Sequence, residues 1–549
     1  MSSIQNIFNI GRSALFSNQK ALSVTAQNIA NVGTPGYSRQ EAVFGATPPT
    51  NGKPGQVGTG VEIQEIRRLV DRFVEDQLIG GRSALGRYQT EEGILRRIES
   101  IFTDSQDTGL NQAFNAFFAA LNDVANNPED HSARVALLEQ AKVFGQHLNI
   151  VDRQFQDIGK DVNNEVLGVI ADINQLVPKI GDLNVLIKHA EFSGQNANDL
   201  RDERQLLLND LAEKIDIKTI EDEFGQTTVF VGSGSTLIEG NVTAKLSALP
   251  DADNKGFVKV LFGSGTGATA DLTPLITGGR LKGLIDLRDQ VLPGFIDILD
   301  RLVAGTVNEI NQQHLAGFGL DGTTGNLFFG ALSPSADGRN ANTGSALVGV
   351  TVSNASALTL NGYDLSFAGG NYTLSNLTTG ASTTGAYVDP TTVTFEGLDV
   401  AISGAAVAGD LFRISAHKGA AAAITVAQTD PNKVAASSSA AGIPGDNENA
   451  LRLAAIQDKA VTALGGNTLQ GHYSGFTSDV GARSQAAQRN VAVEQTIHSQ
   501  LFDLRESVSG VSLDEEMTHI IRFQRAYEAS ARLITMADEL YQTVLGMVR

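Results

Sequence analysis

The chain has 549 residues, a formal net charge of −20, 42% hydrophobic and 19% charged residues, and no cysteine. That length calls for two to four domains with separate cores. The acidic balance argues against a binder of nucleic-acid phosphates, and the missing cysteine excludes disulfides, thiol catalysis and Cys-ligated zinc.

At the start of the chain Phe8, Leu15, Leu22 and Ile29 recur every seven residues, a coiled-coil-like stripe. The alternate line, Ile4, Gly11, Asn18, Thr25 and Val32, is mixed. The opening MSSIQNIFNIGRSALF has no basic segment followed by an unbroken apolar run, so it is not expected to act as a secretory signal. Nor does any stretch have the apolar length of a membrane span. Gly33 suits a left-handed helix cap, and Thr34-Pro35-Gly36-Tyr37 fits a type II turn with Gly36 at the positive-φ position.

Residues 61–214 read as mostly helical, with Ile63, Ile66, Val70, Phe73 and Val74 opening a 3–4 spacing. From 214 to 262 the period shifts towards two, in KIDIKTI and TTVFVG, and helix returns over 281–315. Residues 331–430 are rich in Gly, Thr, Ser and Ala, and short runs such as YDLSFAG, NYTLSNL and TVTFEG predict an inserted all-β domain. PNKVAASSSAAGIPG, 431–445, reads as a linker, and from 446 the chain is helical to its end.

Leu513, Ile520, Tyr527, Ile534, Tyr541 and Val548 form a second heptad stripe. Phe523, Ala537 and Val544 lie on its intervening line, with Glu516 and Ser530 as polar exceptions, and Ser512 with Glu515 is a capping-box pattern. Two such helices at opposite ends of one chain are natural mutual partners. The expected fold is therefore multidomain, mainly α with a β insert. Residues 1–60 and 510–549 pair as a terminal coiled coil. A mainly helical middle domain takes 61–330 and 446–509, with a β-rich segment near 214–262, and the insert occupies 331–430.

Sites for chemistry are sparse. GSGTG at 263–267 lacks the Lys-Ser/Thr of a phosphate loop and the spacing of a dinucleotide turn. Glu516 and His519 form a single Glu-x-x-His pair where a di-iron bundle needs two, and the pair reads better as an exposed face. DGTTGN at 321–326 lacks the distal Glu of a calcium loop. Asp286, Asp289 and His314 could converge as a hydrolase site, although DLRD reads more simply as an ion-paired helix end. No nucleophile elbow or zincin motif occurs, so neither a metal, a cofactor nor catalysis is expected. Asn28, Asn31 and Tyr37 remain open between local packing and an interface.

NIANVGTPGYSRQ, residues 28–40, after an N-terminal heptad helix resembles the signature of the axial proteins of the bacterial flagellum, the rod, hook and hook-associated proteins. The form TPGYSRQ is similar to the hook-associated members at the hook–filament junction. VSLDEEMTHIIRFQRAYEASARLITMADELYQTVLGMV is similar to the closing helix of that family, and GGRLKGLIDLRDQVLPGFIDILDRL to its middle. The β region matches no motif of it. The resemblance implies a structural protein exported through the flagellar type III apparatus without a cleaved signal, with its terminal helices paired around a central channel. Phe8, Leu15, Leu22, Ile29 and their C-terminal counterparts would then form the assembly seam, and Asn28, Asn31, Pro35, Gly36 and Tyr37 the elbow leading outward. Implied partners are further copies of the chain, the hook protein, the next junction protein (hook-associated protein 3) and an export chaperone at the C-terminal helix. A divergent hook or rod protein and a secreted coiled-coil adhesin are the alternatives.

Overall fold

The computed structural model describes residues 2–51, 55–102, 109–263 and 269–547. Helix α1 (Ser2–Ala30) leads through a turn to β1 (Gln40–Ala46), a short ribbon of β2 (Thr50–Asn51) and β3 (Gln56–Val57), and the return strand β4 (Val61–Arg68), which pairs antiparallel with β1. The strand at 61–68 corrects the helix expected from Ile63 and Ile66. Val61 and Ile63 are half-buried while Glu62 and Gln64 face solvent, the alternation of a one-sided strand. Helix starts only where Asp71 accepts a hydrogen bond from the Phe73 amide (2.9 Å).

α2 (Arg72–Phe102), α3 (Leu110–Asn126), α4 (His131–Phe192) and α5 (Asn198–Lys214) build the helical body. α4 alone has 62 residues, roughly 90 Å at about 1.5 Å per residue, and it starts on the Asp130 side chain, which accepts from the Ser132 amide. Its apolar face meets α3 in an aromatic core, where Phe117 stacks on Phe144 at 5.6 Å and meets Phe329 at 5.7 Å. β5 (Ile217–Glu221), β6 (Thr227–Val231), β7 (Ser235–Glu239) and β8 (Val242–Thr243) form one antiparallel sheet in sequence order. β9 (Lys245–Pro250), β10 (Val258–Gly263) and β11 (Thr269–Asp271) form another, with β10 in the centre. α6 (Gly279–Asp286) continues through a π-helical turn over Leu287–Val291 into α7 (Leu292–Ala316).

The insert consists of β12 (Ser335–Gly338), β13 (Leu347–Val352), β14 (Gly362–Ala368), β15 (Asn371–Asn376), β16 (Ser382–Ala386), β17 (Thr391–Phe395), β18 (Leu398–Ser403) and β19 (Leu411–Ser415). They make two antiparallel sheets, ordered β12-β19-β14-β15-β16 and β13-β18-β17. Tyr363, Leu365 and Phe367 of β14 and Leu398, Val400 and Ile402 of β18 are buried at every second position, so each sheet turns one face to the core. The chain leaves the insert through α8 (Ala420–Ala423). There the buried Asp300 of α7 accepts hydrogen bonds from the Gly419 (2.8 Å) and Ala421 (2.9 Å) amides, and His417 Nε2 lies 2.7 Å from Asp297.

Residues 431–445 correct the expectation of a linker. Val434, Ala435, Ala436 and Ser437 are buried. The buried Arg134 of α4 donates to the Pro128 and Val434 carbonyls, and His314 Nε2 of α7 accepts from the Ala435 amide. Small side chains let this strap thread between the two helices, and its backbone polar groups are satisfied by buried side chains. α9 (Glu448–Ala455) follows, α10 (Leu469–Ser509) packs along α2, and α11 (Leu513–Met547) returns to α1. Among the described residues no helix is long and apolar enough to cross a membrane.

Candidate functional site: the elbow and the terminal helix pair

The two ends of the chain meet antiparallel, with Gly11 of α1 against Ser530 and Ile534 of α11 and the α1 elbow against the start of α11. The buried line of α11 is Glu516, Phe523, Ser530 and Ala537, spaced by seven. On α1 it runs through Gly11, Asn18 and Thr25, joined by Ser17, Ala21, Val24 and Asn28. Both are the mixed lines of the heptad pattern, and this corrects the register of the expected seam. Phe8, Leu15, Leu22, Ile29, Ile520, Tyr527 and Ile534 are only half-buried. Leu513 (49% exposed) and Tyr541 (41%) face outward, and Val548 lies outside the described residues.

Side-chain size explains the inversion. A Cβ on Gly11 would stand 2.9 Å from Ile534 Cγ1, so the helices approach at a distance only small residues allow. Two of the buried polar groups are satisfied within their own helix: Asn18 Nδ2 donates to the Ala14 carbonyl (2.8 Å) and Ser530 Oγ to the Ala526 carbonyl (2.7 Å).

At the C-terminal end of α1 the chain turns through residues 31–37. The Tyr37 amide donates to the Thr34 carbonyl, and Gly36 has φ +79°. Gly33 is not left-handed; the helix ends at Ala30, and Gly36 alone carries the positive φ of this turn. A Cβ on Gly36 would also lie 2.6 Å from Leu206, so both backbone conformation and space require glycine here.

Asn28 ties the turn together. Its Nδ2 donates to the Gln40 carbonyl (2.9 Å), and its Oδ1 accepts from the Gln40 amide (3.0 Å) and from the Tyr37 hydroxyl (2.9 Å). Burial, with Asp199, Asp202 and Glu516 nearby, pushes the Tyr37 hydroxyl well above its ordinary range and keeps it a donor. Asn31 stays local, its Nδ2 donating to the Gln27 carbonyl and its Oδ1 accepting from Thr34, and Pro35 is exposed.

The next residues fasten the elbow to the helical body. Ser38 donates through its amide (2.9 Å) and hydroxyl (2.8 Å) to Asp202 of α5, which also pairs with Arg68 at 2.6 Å. Arg39 pairs with Glu515 (2.6 Å) and Glu516 (2.8 Å), and its amide donates to the Ser509 carbonyl. Glu515 is thus held by Arg39, where the sequence pattern placed it in a capping box. Gln40 donates to Asp199 and accepts from Asn198. On the other side, Arg505 of α10 donates to Glu75 of α2 (3.0 Å) and to the Gly36 carbonyl (3.3 Å). Burial raises the Glu75 carboxyl and Arg505 opposes that rise. Helices α5, α10 and α11 therefore converge on Gly36–Gln40, α2 joining through Arg505, and the contacts of Ser38 with Asp202 and of Arg39 with Glu516 end on buried carboxylates, whose hydrogen bonds are stronger than neutral ones.

The residues weighed for catalysis do not converge. Asp286 pairs with Arg87 and Lys282, Asp289 with Arg288, and His314 is buried between the Asn326 carbonyl and the Ala435 amide. Glu516 is buried beside Arg39, and His519 packs edge-on to Phe523. Most of GSGTG, residues 264–267, lies outside the described residues. Among the described residues no cluster of three or more His, Asp or Glu could hold a metal ion.

Four family models match the chain in order. They are "Flagella basal body rod protein" over 8–37, "Flagellar hook-associated protein FlgK helical domain" over 95–329, "Flagellar hook-associated protein 1, D2-like domain" over 336–416, and "Flagellar basal body rod FlgEFG protein C-terminal" over 506–547. Flagellar hook-associated protein 1 of Escherichia coli (strain K12) is 26% identical over 99% of this chain and 100% of its own length. That of Bacillus subtilis (strain 168) is 27% identical over 97% and 96%. The chain belongs to the flagellar hook-associated protein 1 family.

The fold agrees. The solved flagellar hook junction protein FlgK of Burkholderia pseudomallei superposes with a TM-score of 0.68 at 21% identity, covering 79% of this chain and 100% of that one. The two models that match the ends of the chain meet at the terminal helix pair, and the first of them stops at Tyr37, in the elbow. Ser38, Arg39, Gln40, Asp202, Glu75 and Arg505, absent from the expected site, complete the clamp around it. The quoted SRQ after Pro-Gly-Tyr was the one sequence signal for them.

Proposed function

We propose that the chain is a structural axial protein of the bacterial flagellum that forms a ring at the distal end of the hook and adapts the hook to the filament. The observation that carries this reading is the near full-length relationship to proteins named flagellar hook-associated protein 1, running through both terminal helices. The α1–α11 pair lines the inner tube, the elbow passes load to the helical body, and the β insert sits outermost. Leu513, Met517 and Ile521 on one flank of α11, and Leu533, Met536 and Leu540 on the other, are exposed apolar surface suited to neighbouring copies. The hook protein on one side and hook-associated protein 3 on the other are the further partners. An export chaperone would hold the C-terminal helix before the chain leaves through the type III apparatus. No catalytic role is assigned.

Deleting the gene from its source organism and restoring it tests the reading. Loss of filaments with hooks retained, reversed by the full chain but not by one lacking residues 510–549, is the expected result. Normal filaments on the deleted strain would overturn it.

A further inference from the structure

Apart from Met1, the methionines of this chain are Met517, Met536 and Met547. All three lie on α11, and they are 52%, 55% and 79% exposed. The buried line of that helix is Glu516, Phe523, Ser530 and Ala537, so Met517 stands one position after a seam residue and Met536 one position before another. At about 100° per residue they fall on opposite flanks of the helix. Met517 sits between exposed Leu513 and Ile521 at i, i+4 spacing. Met536 and Met547 accompany exposed Leu533 and Leu540 on the other flank.

A helix whose seam is filled by α1 but whose two flanks are both apolar needs a neighbour on each side. A ring supplies them, because a head-to-tail interface uses two different patches of every copy. Charge agrees with a second copy as the occupant. Asp514 and Glu515, then Arg522, Arg525 and Arg532, then Asp538 and Glu539 form blocks of alternating sign, interrupted by Glu528, so the same helix displaced along its axis meets opposite charge.

We propose that Met517, Met536 and Met547 form an oxidation-sensitive control on ring assembly: a hydroperoxide converts their thioethers to sulfoxides in the free chain and blocks the flank contacts. The inference rests on the ring reading above. In each step the peroxide O–O bond breaks, one oxygen bonds to sulfur, sulfur gives up two electrons, and water or an alcohol leaves. A flexible apolar side chain becomes polar, and a neighbour can no longer bury it without desolvating the new oxygen. Once the ring has formed, the contacts would shield the same sulfurs.

The test treats the purified full chain with hydrogen peroxide, follows the three sites by mass spectrometry, and measures binding to isolated hooks that lack junction proteins. The expected result is sulfoxide at all three sites and a fall in binding of roughly tenfold or more, reversed by methionine sulfoxide reductases. The chain with Met517, Met536 and Met547 all changed to Leu, whatever its untreated affinity, should bind no less after peroxide than before it. Undiminished binding by fully oxidised chain, or equal loss in the Leu variant, would overturn this inference alone. Failure of untreated chain to bind hooks would overturn the ring reading and this inference with it.

Discussion

Asn28 and Gln40 exchange two hydrogen bonds: the Asn28 side-chain amide donates to the Gln40 carbonyl and accepts from the Gln40 amide, as one strand would from another. A single side chain at the end of α1 thereby fixes the first residue of β1. The same Oδ1 takes the Tyr37 hydroxyl, so the turn, the helix end and the strand start share one buried group.

Replacing that group is the first prediction. Asn28→Leu leaves the Gln40 backbone and the Tyr37 hydroxyl unpaired, at about 1–3 kcal/mol for each group stranded in the interior. Asn28→Asp keeps the acceptor and loses the donor, and should cost less. Hydrogen exchange at the Gln40 amide should quicken in the order wild type, Asp, Leu; equal protection in all three would refute the assignment.

Arg505 and Glu75 give the second. Both are buried, and the pair joins α10 and α2 to the Gly36 carbonyl. Arg505→Ala should loosen the elbow by about 3–5 kcal/mol, because it strands a buried carboxylate. Restoring an uncharged pair with Glu75→Gln in the same chain should recover part of that loss. Limited proteolysis at residues 31–40 reads both, and no gain in cleavage for Arg505→Ala would contradict the clamp.

A third prediction concerns the close approach of the terminal helices. Gly11→Leu and Phe523→Asp should each prevent α1 from closing on α11, by overpacking and by placing a charge in a buried line. Circular dichroism should show the helical body intact while protease digests the ends. Leu513→Asp, on an exposed position, should leave the free chain unchanged and affect assembly only. Closure unaffected by Phe523→Asp would mean the seam lies elsewhere.

Acid gives the fourth. Burial lowers His314 from 6.5 to about 4, so between those values the unfolded chain binds a proton that the folded chain does not. Stability then falls as pH drops through that window, by up to about 3 kcal/mol. Burial raises Asp300 from 3.8 to about 6, against the two amides it accepts from, so its contribution runs the other way and grows as pH falls from about 6 to 3.8. Urea midpoints from pH 7 to pH 4 should show His314→Gln flattening the acid loss and Asp300→Asn steepening it. Parallel curves would contradict both assignments.

Much of this architecture is legible in the heptads, the change of period after 214 and the Gly-Thr-Ser-rich insert. What misleads is residue size read as burial. Leu15, Leu22 and Tyr541 advertise a seam, yet the tight contact belongs to Gly11, Asn18, Ser530 and Ala537, whose smallness lets two backbones come close. The clamp was hidden for another reason. Asp202 and Arg505 lie 164 and 469 residues from their partners Ser38 and Gly36, and no periodicity links positions so far apart. The strap at 431–445 has linker composition, and only the buried Arg134 and His314 beneath it reveal that it is packed.

The most direct measurement is to mix the purified chain with isolated hooks that lack junction proteins and image their tips by electron microscopy. The account predicts added density at the distal end alone, lost when residues 1–40 or 510–549 are removed. Bare tips with the intact chain, or density that persists without the terminal helices, would contradict it.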